Sequence, residues 1–294
     1  MEFKEELKSR IENAERVIRE YLPIESGYQK TVLAAMNYSV LAGGKRLRPI
    51  LINECYRLFG GEGRVHEPFM AAIEFLHTAS LVHDDLPAMD NDEFRRGKKT
   101  THAKYGEAVG ILAGDALLNF TYETAIKSFD LGDTAKVSRA LKILADKAGI
   151  NGMIGGQMAD LEAEKATSDY KTLEFIHKNK TAALIEASML IGATLAGADS
   201  CALDILSSIA LDIGFAFQIQ DDVLDVIGTS EALGKPVGSD EVNNKTTYVT
   251  LFGLEKAKSD VKFYSERAIS SLESFGIGAS FLISLVKMLI KREK

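Results

Sequence analysis

The chain has 294 residues, of which 46% are apolar, and a formal net charge of −7 at pH 7. This composition is ample for a buried core in one large domain or two small ones. The acidic balance argues against non-specific binding to nucleic acid or to an anionic membrane, so any anion site must come from local clusters of Lys and Arg.

The expected compartment follows from the termini and the cysteines. The first residues are charged and lack an apolar signal region, and no stretch of about 18 apolar residues runs without charges or polar breaks. Cys55 and Cys201 lie in apolar helical patterns without metal-binding spacing, so we expect buried thiols in a reducing compartment. The sequence therefore predicts a cytoplasmic protein with no stable membrane insertion.

The hydrophobic periodicity is helical throughout. Five prolines and no strand-turn-strand rhythm indicate long helices, and no repeat or linker divides the chain. We therefore expect one all-α domain over residues 1–294. The spacing predicts helices over 2–22, 28–42, 50–59, 68–85, 107–128, 134–150, 159–166, 175–196, 202–226, 246–273 and 278–292, with a glycine-rich interruption at 155–157 and a long polar loop over 228–245.

Two acidic segments each follow a buried-looking helix and place three carboxylates within one or two turns of chain. Two carboxylates about 6 Å apart repel by roughly 2.8 kcal/mol at an effective dielectric near 20, so such a site is costly when empty. Mg²⁺ is typically held by carboxylates together with substrate phosphates. We interpret the pair as a split Mg²⁺ site closed by a phosphorylated ligand; either segment alone is more typical of a solvated helix end. The carboxylates are those of Asp84, Asp85, Asp90, Asp221, Asp222 and Asp225.

The two segments differ in geometry. On a straight helix Asp90 would point about 120° away from Asp84. Pro87 cannot donate a backbone hydrogen bond and disfavours helical geometry at Leu86, so the helix must bulge or end there and let Asp90 turn back. Asp221 and Asp225 are spaced i and i+4, so the second segment needs no such break.

Basic residues stand near the acidic ones. Lys45 and Arg48 flank a predicted helix start with Pro49 as its first residue, and a helix N-terminus attracts anions; the alternative is an exposed basic turn. Arg95 and Arg96 directly follow the first acidic segment, where they can contact outer phosphate oxygens or merely balance surface charge. His77 and Lys180 are further candidates, although a helical histidine is more often a hydrogen bonder of the core, and Lys235 and Lys245 lie in the long polar loop, a kind of segment that is often functional.

Together these motifs resemble the all-trans polyprenyl diphosphate synthases, and among them the bacterial farnesyl diphosphate synthases. The similarity runs over about residues 25 to 250 and rests on GGKRLRP at 43–49, HDDLPAMD at 83–90 followed by RRG at 95–97, GDAL at 114–117, KT at 180–181, FQIQDDVLD at 217–225 and GK at 234–235.

The resemblance implies the isoprenoid synthase fold, a bundle of long antiparallel helices around a deep central cavity, and a homodimer. It implies condensation of isopentenyl diphosphate with an allylic diphosphate, dimethylallyl or geranyl, to a short all-trans product. Three Mg²⁺ ions, or Mn²⁺ in their place, would be held by Asp84, Asp85, Asp90 and Asp221, with Asp222 and Asp225 completing the site. Allylic diphosphate contacts would be Arg95, Lys180, Lys235 and Lys245, isopentenyl contacts Lys45, Arg48, His77 and Arg96, and Thr181 and Gln218 would face the allylic cation.

Product length is where the chain departs from its relatives. In this family the residues four and five positions before the first acidic segment form the floor for the growing tail, and related bacterial farnesyl synthases usually have an aromatic at the fifth. Here these positions are Ser80 and Ala79, both small. Farnesyl diphosphate is the expected product and geranylgeranyl diphosphate the alternative, unless Phe75, Leu76 or Phe120 closes the floor one turn lower.

Other classes fit less of the sequence. A class I terpene cyclase would share the metal chemistry but would not need a second set of cations. A non-catalytic subunit would be expected to lack one acidic segment, and a metal-storing helical protein would bind metal tightly without diphosphate.

Overall fold

A computed structural model of the chain describes residues 2–163, 169–227 and 246–290. The helices are α1 Phe3–Tyr21, α2 Lys30–Val40, α3 Leu47–Leu58, α4 Glu67–Asp84, α5 Thr101–Tyr105, α6 Glu107–Ala125, α7 Thr134–Ala148, α8 Met153–Ala163, α9 Tyr170–Ile176, α10 Ala183–Ala196, α11 Ser200–Ile227, α12 Tyr248–Phe252, α13 Leu254–Glu273 and α14 Ser280–Ile290. Short 3₁₀ turns cover Ile126–Asp130 and Gly276–Ala279, a π-helical turn covers His177–Ala182, and a small hairpin pairs β1 Phe94–Arg95 with β2 Lys98–Lys99. The all-α class is confirmed.

The chain forms two compact units. The first comprises Met1–Asn53 and Glu62–Leu141, and the second comprises Glu54–Gly61 and Lys142–Lys294. The expected single domain and its deep cavity stay predictions.

In the first unit, α4 lies at the centre of the core. Its residues are buried except for part of one face, and Phe75, Ala79 and Val82 pack with Ala113 and Leu117 of α6 in one apolar cluster. Small residues let the two helices approach closely: a Cβ on Gly114 would lie 2.8 Å from Cε1 of the His83 ring. The positions of α4 that stay partly exposed are His77, Ser80, Leu81, His83 and Asp84.

In the second unit, α11 is the longest helix of the described chain and packs against α13. Ile219 and Val223 of α11 lie in one cluster with Tyr248, Ala257 and Val261. Length and composition alone would allow α11 to cross a membrane. However, it buries three aspartates, and one of them, Asp212, accepts a hydrogen bond from Arg267 Nε at 2.7 Å, which is typical of a core helix.

Several local predictions were wrong. Helix α3 begins at Leu47, so Pro49 is its third residue; the first turn tolerates proline because its N–H groups have no intrahelical partner. Gly155 and Gly156 lie inside α8 rather than in an interruption, and a short helix, α5, lies between the helices predicted over 68–85 and 107–128. Cys55 is buried as predicted, but Cys201 is exposed, because it lies in the first turn of α11 where the outer face meets solvent.

Candidate functional site

The first acidic segment forms a turn at the carboxyl end of α4. The helix ends at Asp84, before Pro87, and the Asp90 N–H donates to the Asp84 carbonyl at 2.8 Å. Asn91 follows with a positive φ of 54° and donates to the Leu86 carbonyl. The predicted break at Pro87 is therefore present, and it returns the backbone of Asp90 to the last residue of the helix.

The three aspartates of this turn have different surroundings. Asp85 is buried, and both Nε and Nη2 of Arg95 lie 2.7 Å from its Oδ1. Burial raises the pKa of Asp85, and the Arg95 guanidinium opposes that rise. Asp84 is partly exposed and Asp90 is exposed. Asp85 is thus the nearer ion-pair partner of Arg95, which also lies 3.7 Å from Asp92 Oδ2, whereas Asp84 and Asp90 are more accessible than Asp85.

The β1–β2 hairpin carries Arg95 and Arg96 and is fixed to the carboxyl end of α2. Arg96 Nη1 donates to the Gly43 carbonyl and Tyr38 Oη donates to the Lys99 carbonyl at 2.7 Å. Arg96 and Gly97 both have positive φ, as a two-residue hairpin turn of type I′ requires. Gly44 leaves room for this contact, because a Cβ there would lie 2.7 Å from Arg96 Nη1. Strands this short give no periodicity, and Arg96-Gly97 was the only sequence signal for them.

The charges of Arg48 and Arg96 act on each other and on His77 within the same unit. Arg48 Nε is buried without a hydrogen-bond partner among the described residues. Burial lowers the pKa of Arg48 and of Arg96 below the ordinary arginine value, although the nearby Glu74 carboxylate opposes this. Burial, with the charges of Arg48 and Arg96 next in size, also holds the pKa of His77 well below its usual value. An anion bound here would reduce the repulsion between the Arg48 and Arg96 charges and would give Arg48 Nε a hydrogen-bond acceptor. Lys45, two residues before α3, is exposed.

The second acidic segment lies on an unbroken stretch of α11, as predicted. Asp222 and Asp225 are buried and Asp221 is partly exposed. Asp222 accepts from the Tyr248 N–H at 2.7 Å through Oδ2 and from Gln218 Nε2 at 3.4 Å through Oδ1. Asp222 therefore helps to hold the start of α12, and Asp221 is the most accessible carboxylate of the three.

Lys180 and Thr181 lie in the π-helical turn between α9 and α10, a feature that sequence periodicity did not predict. Lys180 Nζ donates to Asp160 Oδ2 at 2.5 Å, and Thr181 Oγ1 donates to Gln218 Oε1 at 2.9 Å. Gly156 of α8 allows this packing, because a Cβ on it would lie 2.6 Å from the Asn179 carbonyl carbon. Such π turns are frequent at functional sites. The structure thus brings Thr181 and Gln218 together, and it adds Asp160 as the partner of Lys180.

Ala79 and Ser80 occupy different sides of α4. Ala79 is only 3% exposed and packs in the cluster with α6, whereas Ser80 is partly exposed and donates its hydroxyl to the His77 carbonyl at 2.8 Å. One turn earlier, the Phe75 ring lies 5.3 Å from that of Phe120, centroid to centroid. The remaining candidates, Lys235 and Lys245, lie outside the described residues.

Comparison with known proteins identifies the family. The polyprenyl synthetase model matches residues 29–273. The chain is 40% identical over 294 residues to farnesyl diphosphate synthase of Geobacillus stearothermophilus, covering 99% of this chain and 97% of that one. It is 46% identical over 242 residues to the chloroplastic geranylgeranyl pyrophosphate synthase of Capsicum annuum, covering 82% and 66%.

A solved structure shares the whole fold. Geranyltransferase from Helicobacter pylori, complexed with magnesium and isoprenyl diphosphate, superposes with a TM-score of 0.88 at 30% identity and covers 99% of both chains. Because the family match spans most of the sequence and both acidic segments fall within it, this chain belongs to the polyprenyl synthetase family of prenyltransferases.

Proposed function

We propose that this chain condenses isopentenyl diphosphate with dimethylallyl or geranyl diphosphate to give an all-trans prenyl diphosphate, farnesyl diphosphate being the main product. One observation carries the proposal: a single helix, α4, presents two different arrangements for anions. Its carboxyl end offers Asp84 and the Asp90 turn, suited to a metal-bound diphosphate, and about two turns earlier His77 lies within range of the charges of Arg48 and Arg96. Two diphosphate substrates need both arrangements, whereas a terpene cyclase needs only the first.

Mg²⁺ is the proposed cofactor, because oxygen ligands of this kind are those it prefers. Within residues 2–163, 169–227 and 246–290, no three His, Cys, Asp or Glu side chains form a group that would hold a metal unaided, which suits an ion completed by phosphate oxygens. Asp84, Asp90 and Asp221 are the carboxylates proposed to hold it. The number of three ions and the use of Mn²⁺ in their place are carried over from the resemblance. When bound, Mg²⁺ supplies positive charge that stabilises the departing diphosphate.

The protein side chains have separate proposed roles in the reaction. Arg95 and Lys180 bind the allylic diphosphate, and Lys45, Arg48, His77 and Arg96 bind the isopentenyl diphosphate. The hydroxyl oxygen of Thr181 and the amide oxygen of Gln218 stabilise the allylic cation that forms when its C–O bond breaks. The isopentenyl double bond then attacks that cation, forming the new C–C bond, and the released diphosphate takes the proton that is lost. No protein base is needed in this sequence.

Geranylgeranyl diphosphate is the second candidate product, and the structure offers a specific reason for it. Ala79 lies five residues before Asp84, about 7.5 Å along the helix axis, whereas Phe75 lies about 6 Å further. A floor formed by Phe75 and Phe120 would therefore be one turn deeper than a floor at Ala79. Farnesyl diphosphate remains the proposal because the relatives with that name cover 95–100% of this chain, against 82–92% for those named for geranylgeranyl diphosphate.

Product chromatography tests the proposal. Purified protein is incubated with Mg²⁺, labelled isopentenyl diphosphate and each allylic primer in turn, and the dephosphorylated products are separated by length. A dominant C15 product supports the proposal, a dominant C20 product favours the second candidate, and no labelled prenyl product at all would refute prenyl transfer.

The assembly and location are also proposals. We expect a homodimer, as the family resemblance implies, and a cytoplasmic location. Analytical ultracentrifugation distinguishes a species of about twice the chain mass of 32.1 kDa from a monomer.

A further inference from the structure

Arg46 differs from the other cations of its segment, because it is buried. The residue is only 3% exposed, while Lys45 before it is exposed and Arg48 after it is partly exposed. Its guanidinium donates hydrogen bonds to three acceptors. Nε donates to Glu15 Oε1 at 2.6 Å, Nη1 to Glu74 Oε1 at 2.6 Å, and Nη2 to the Val40 carbonyl at 2.7 Å. A side chain held in this way is not positioned to contact a substrate diphosphate.

The backbone of Arg46 is unusual as well. Its φ is +49°, in the left-handed region that residues with a Cβ rarely adopt. Such a conformation persists only where the surroundings determine it. Here the three hydrogen bonds connect the turn to α1, to α4 and to the carboxyl end of α2. The Arg46 side chain therefore stabilises a backbone conformation that is otherwise disfavoured.

The location of Glu74 gives this clamp a functional consequence. Glu74 is buried on α4, three residues before His77, which places it one turn away on a neighbouring part of the same face. The hydrogen bond from Arg46 to Glu74 therefore connects the turn that carries Lys45 and Arg48 to the helix that carries His77. Glu74 is also the acidic group whose charge acts on both Arg48 and Arg96.

We propose that Arg46, through Glu15 and Glu74, is a positioning residue for the isopentenyl diphosphate subsite and sets Lys45 and Arg48 against His77. The inference rests on the proposed function for the identity of the substrate, but the clamp itself acts on any diphosphate bound there. Charge alone is not sufficient, because Arg46 donates from three separate nitrogens of a planar fork, whereas a lysine carries its three donors on one atom and cannot reach acceptors on all three elements.

Two variants and one control test the proposal. Arg46→Lys keeps the charge but not the three-way geometry. The double variant Arg46→Met with Glu74→Met removes both buried charges, so that neither is left unpaired if the single substitution unfolds the protein. Arg16→Met is the matched control, since Arg16 also connects α1 to α4, through Glu67 at 3.1 Å, but does not touch the turn.

The measurements are thermal unfolding, kcat, and KM for each substrate varied separately. We expect both variants to raise KM for isopentenyl diphosphate at least tenfold and to change KM for the allylic substrate less than twofold, while the control changes neither KM. Folded variants with an unchanged isopentenyl KM, or with equal rises in both KM values, would overturn the assignment.

A binding measurement separates this inference from the proposed function. Calorimetry of inorganic diphosphate without metal should show at least tenfold weaker binding to Arg46→Lys than to the unsubstituted protein. If the unsubstituted protein forms no prenyl product but this difference is found, the proposed substrate is wrong and the clamp stands. If the two bind diphosphate equally, the clamp is wrong whatever the substrate.

Discussion

Substitution of Gly156 by alanine should displace the π-helical turn that carries Lys180 and Thr181. The added Cβ would lie 2.6 Å from the Asn179 carbonyl carbon and 2.8 Å from Lys180 Cα. These are backbone atoms, so no side-chain rotation relieves the overlap. Alanine is favoured over glycine inside a helix by about 1 kcal/mol, whereas overpacking in a core costs typically 1–3 kcal/mol. We therefore expect a net loss of stability of up to about 2 kcal/mol.

The effect on catalysis should be larger than the effect on stability. A displacement of about 1 Å at a catalytic group can reduce the rate roughly 100-fold, and both Lys180 and Thr181 would move with the turn. Denaturant unfolding and kcat at saturating substrates measure the two effects. Gly278→Ala is the control, because its Cβ would meet only the flexible end of Leu58. A Gly156→Ala protein with unchanged stability and unchanged kcat would show that this contact does not hold the turn.

Four further predictions concern the acidic segments, the histidine and the floor. Asp84→Ala or Asp221→Ala should lower kcat by orders of magnitude with the unfolding temperature little changed, because both carboxylates are partly exposed. Since the folded-state pKa of His77 is lowered, the unfolded chain takes up its proton first, so stability should fall as the pH falls below about 6.5, by at most about 1.4 kcal/mol per pH unit. Mg²⁺ alone should bind weakly by calorimetry, whereas Mg²⁺ with a bisphosphonate should raise the unfolding temperature markedly. Phe75→Ala should lengthen the chromatographed product and cost about 3–5 kcal/mol of stability.

Each of these predictions has a clear contrary result. Near-normal turnover after loss of Asp84 or Asp221 would remove the metal-binding assignment. The pH effect is read as the difference between the unsubstituted protein and His77→Phe over pH 5 to 6.5, and a zero difference contradicts it. Tight Mg²⁺ binding without diphosphate would favour a metal-storing protein. An unchanged product in a folded Phe75→Ala variant would place the floor elsewhere.

Local chemistry explains which structural features the sequence could predict. The helices follow from apolar spacing, and the end of α4 follows from Pro87, because a missing N–H acts within one turn of chain. The π-helical turn depends instead on contact with Gly156, more than twenty residues earlier, and has no local pattern. Likewise, nothing in the segment around Arg46 shows that it is buried, since its partners Glu15 and Glu74 are 31 and 28 residues away in the chain.

The site residues also divide into features set by local sequence and features set by contacts distant in the chain. The candidate carboxylates and cations could be named from their residue types and spacing. Which of them are buried, and which of them pair with each other, could not be predicted. Asp85 and Asp84 are adjacent, yet only Asp85 is buried against an arginine, because Arg95 approaches on a hairpin too short to predict. The pairing of Thr181 with Gln218 likewise needs two helices to pack at one particular register.

The partly exposed face of α4 also fixes a distance. His77 and Asp84 are separated by seven helical residues, about 10.5 Å at the rise of an α-helix, and Thr78, Ala79 and Val82 between them are buried in the first unit. A helix anchored by buried side chains resists stretching, so if His77 and Asp84 act as proposed, the spacing of their two diphosphate positions is set by the protein and not by the substrate. Substitutions at positions 78–83 can therefore change the product length without changing this spacing. Insertion or deletion of a single residue there would instead rotate one site by about 100° relative to the other.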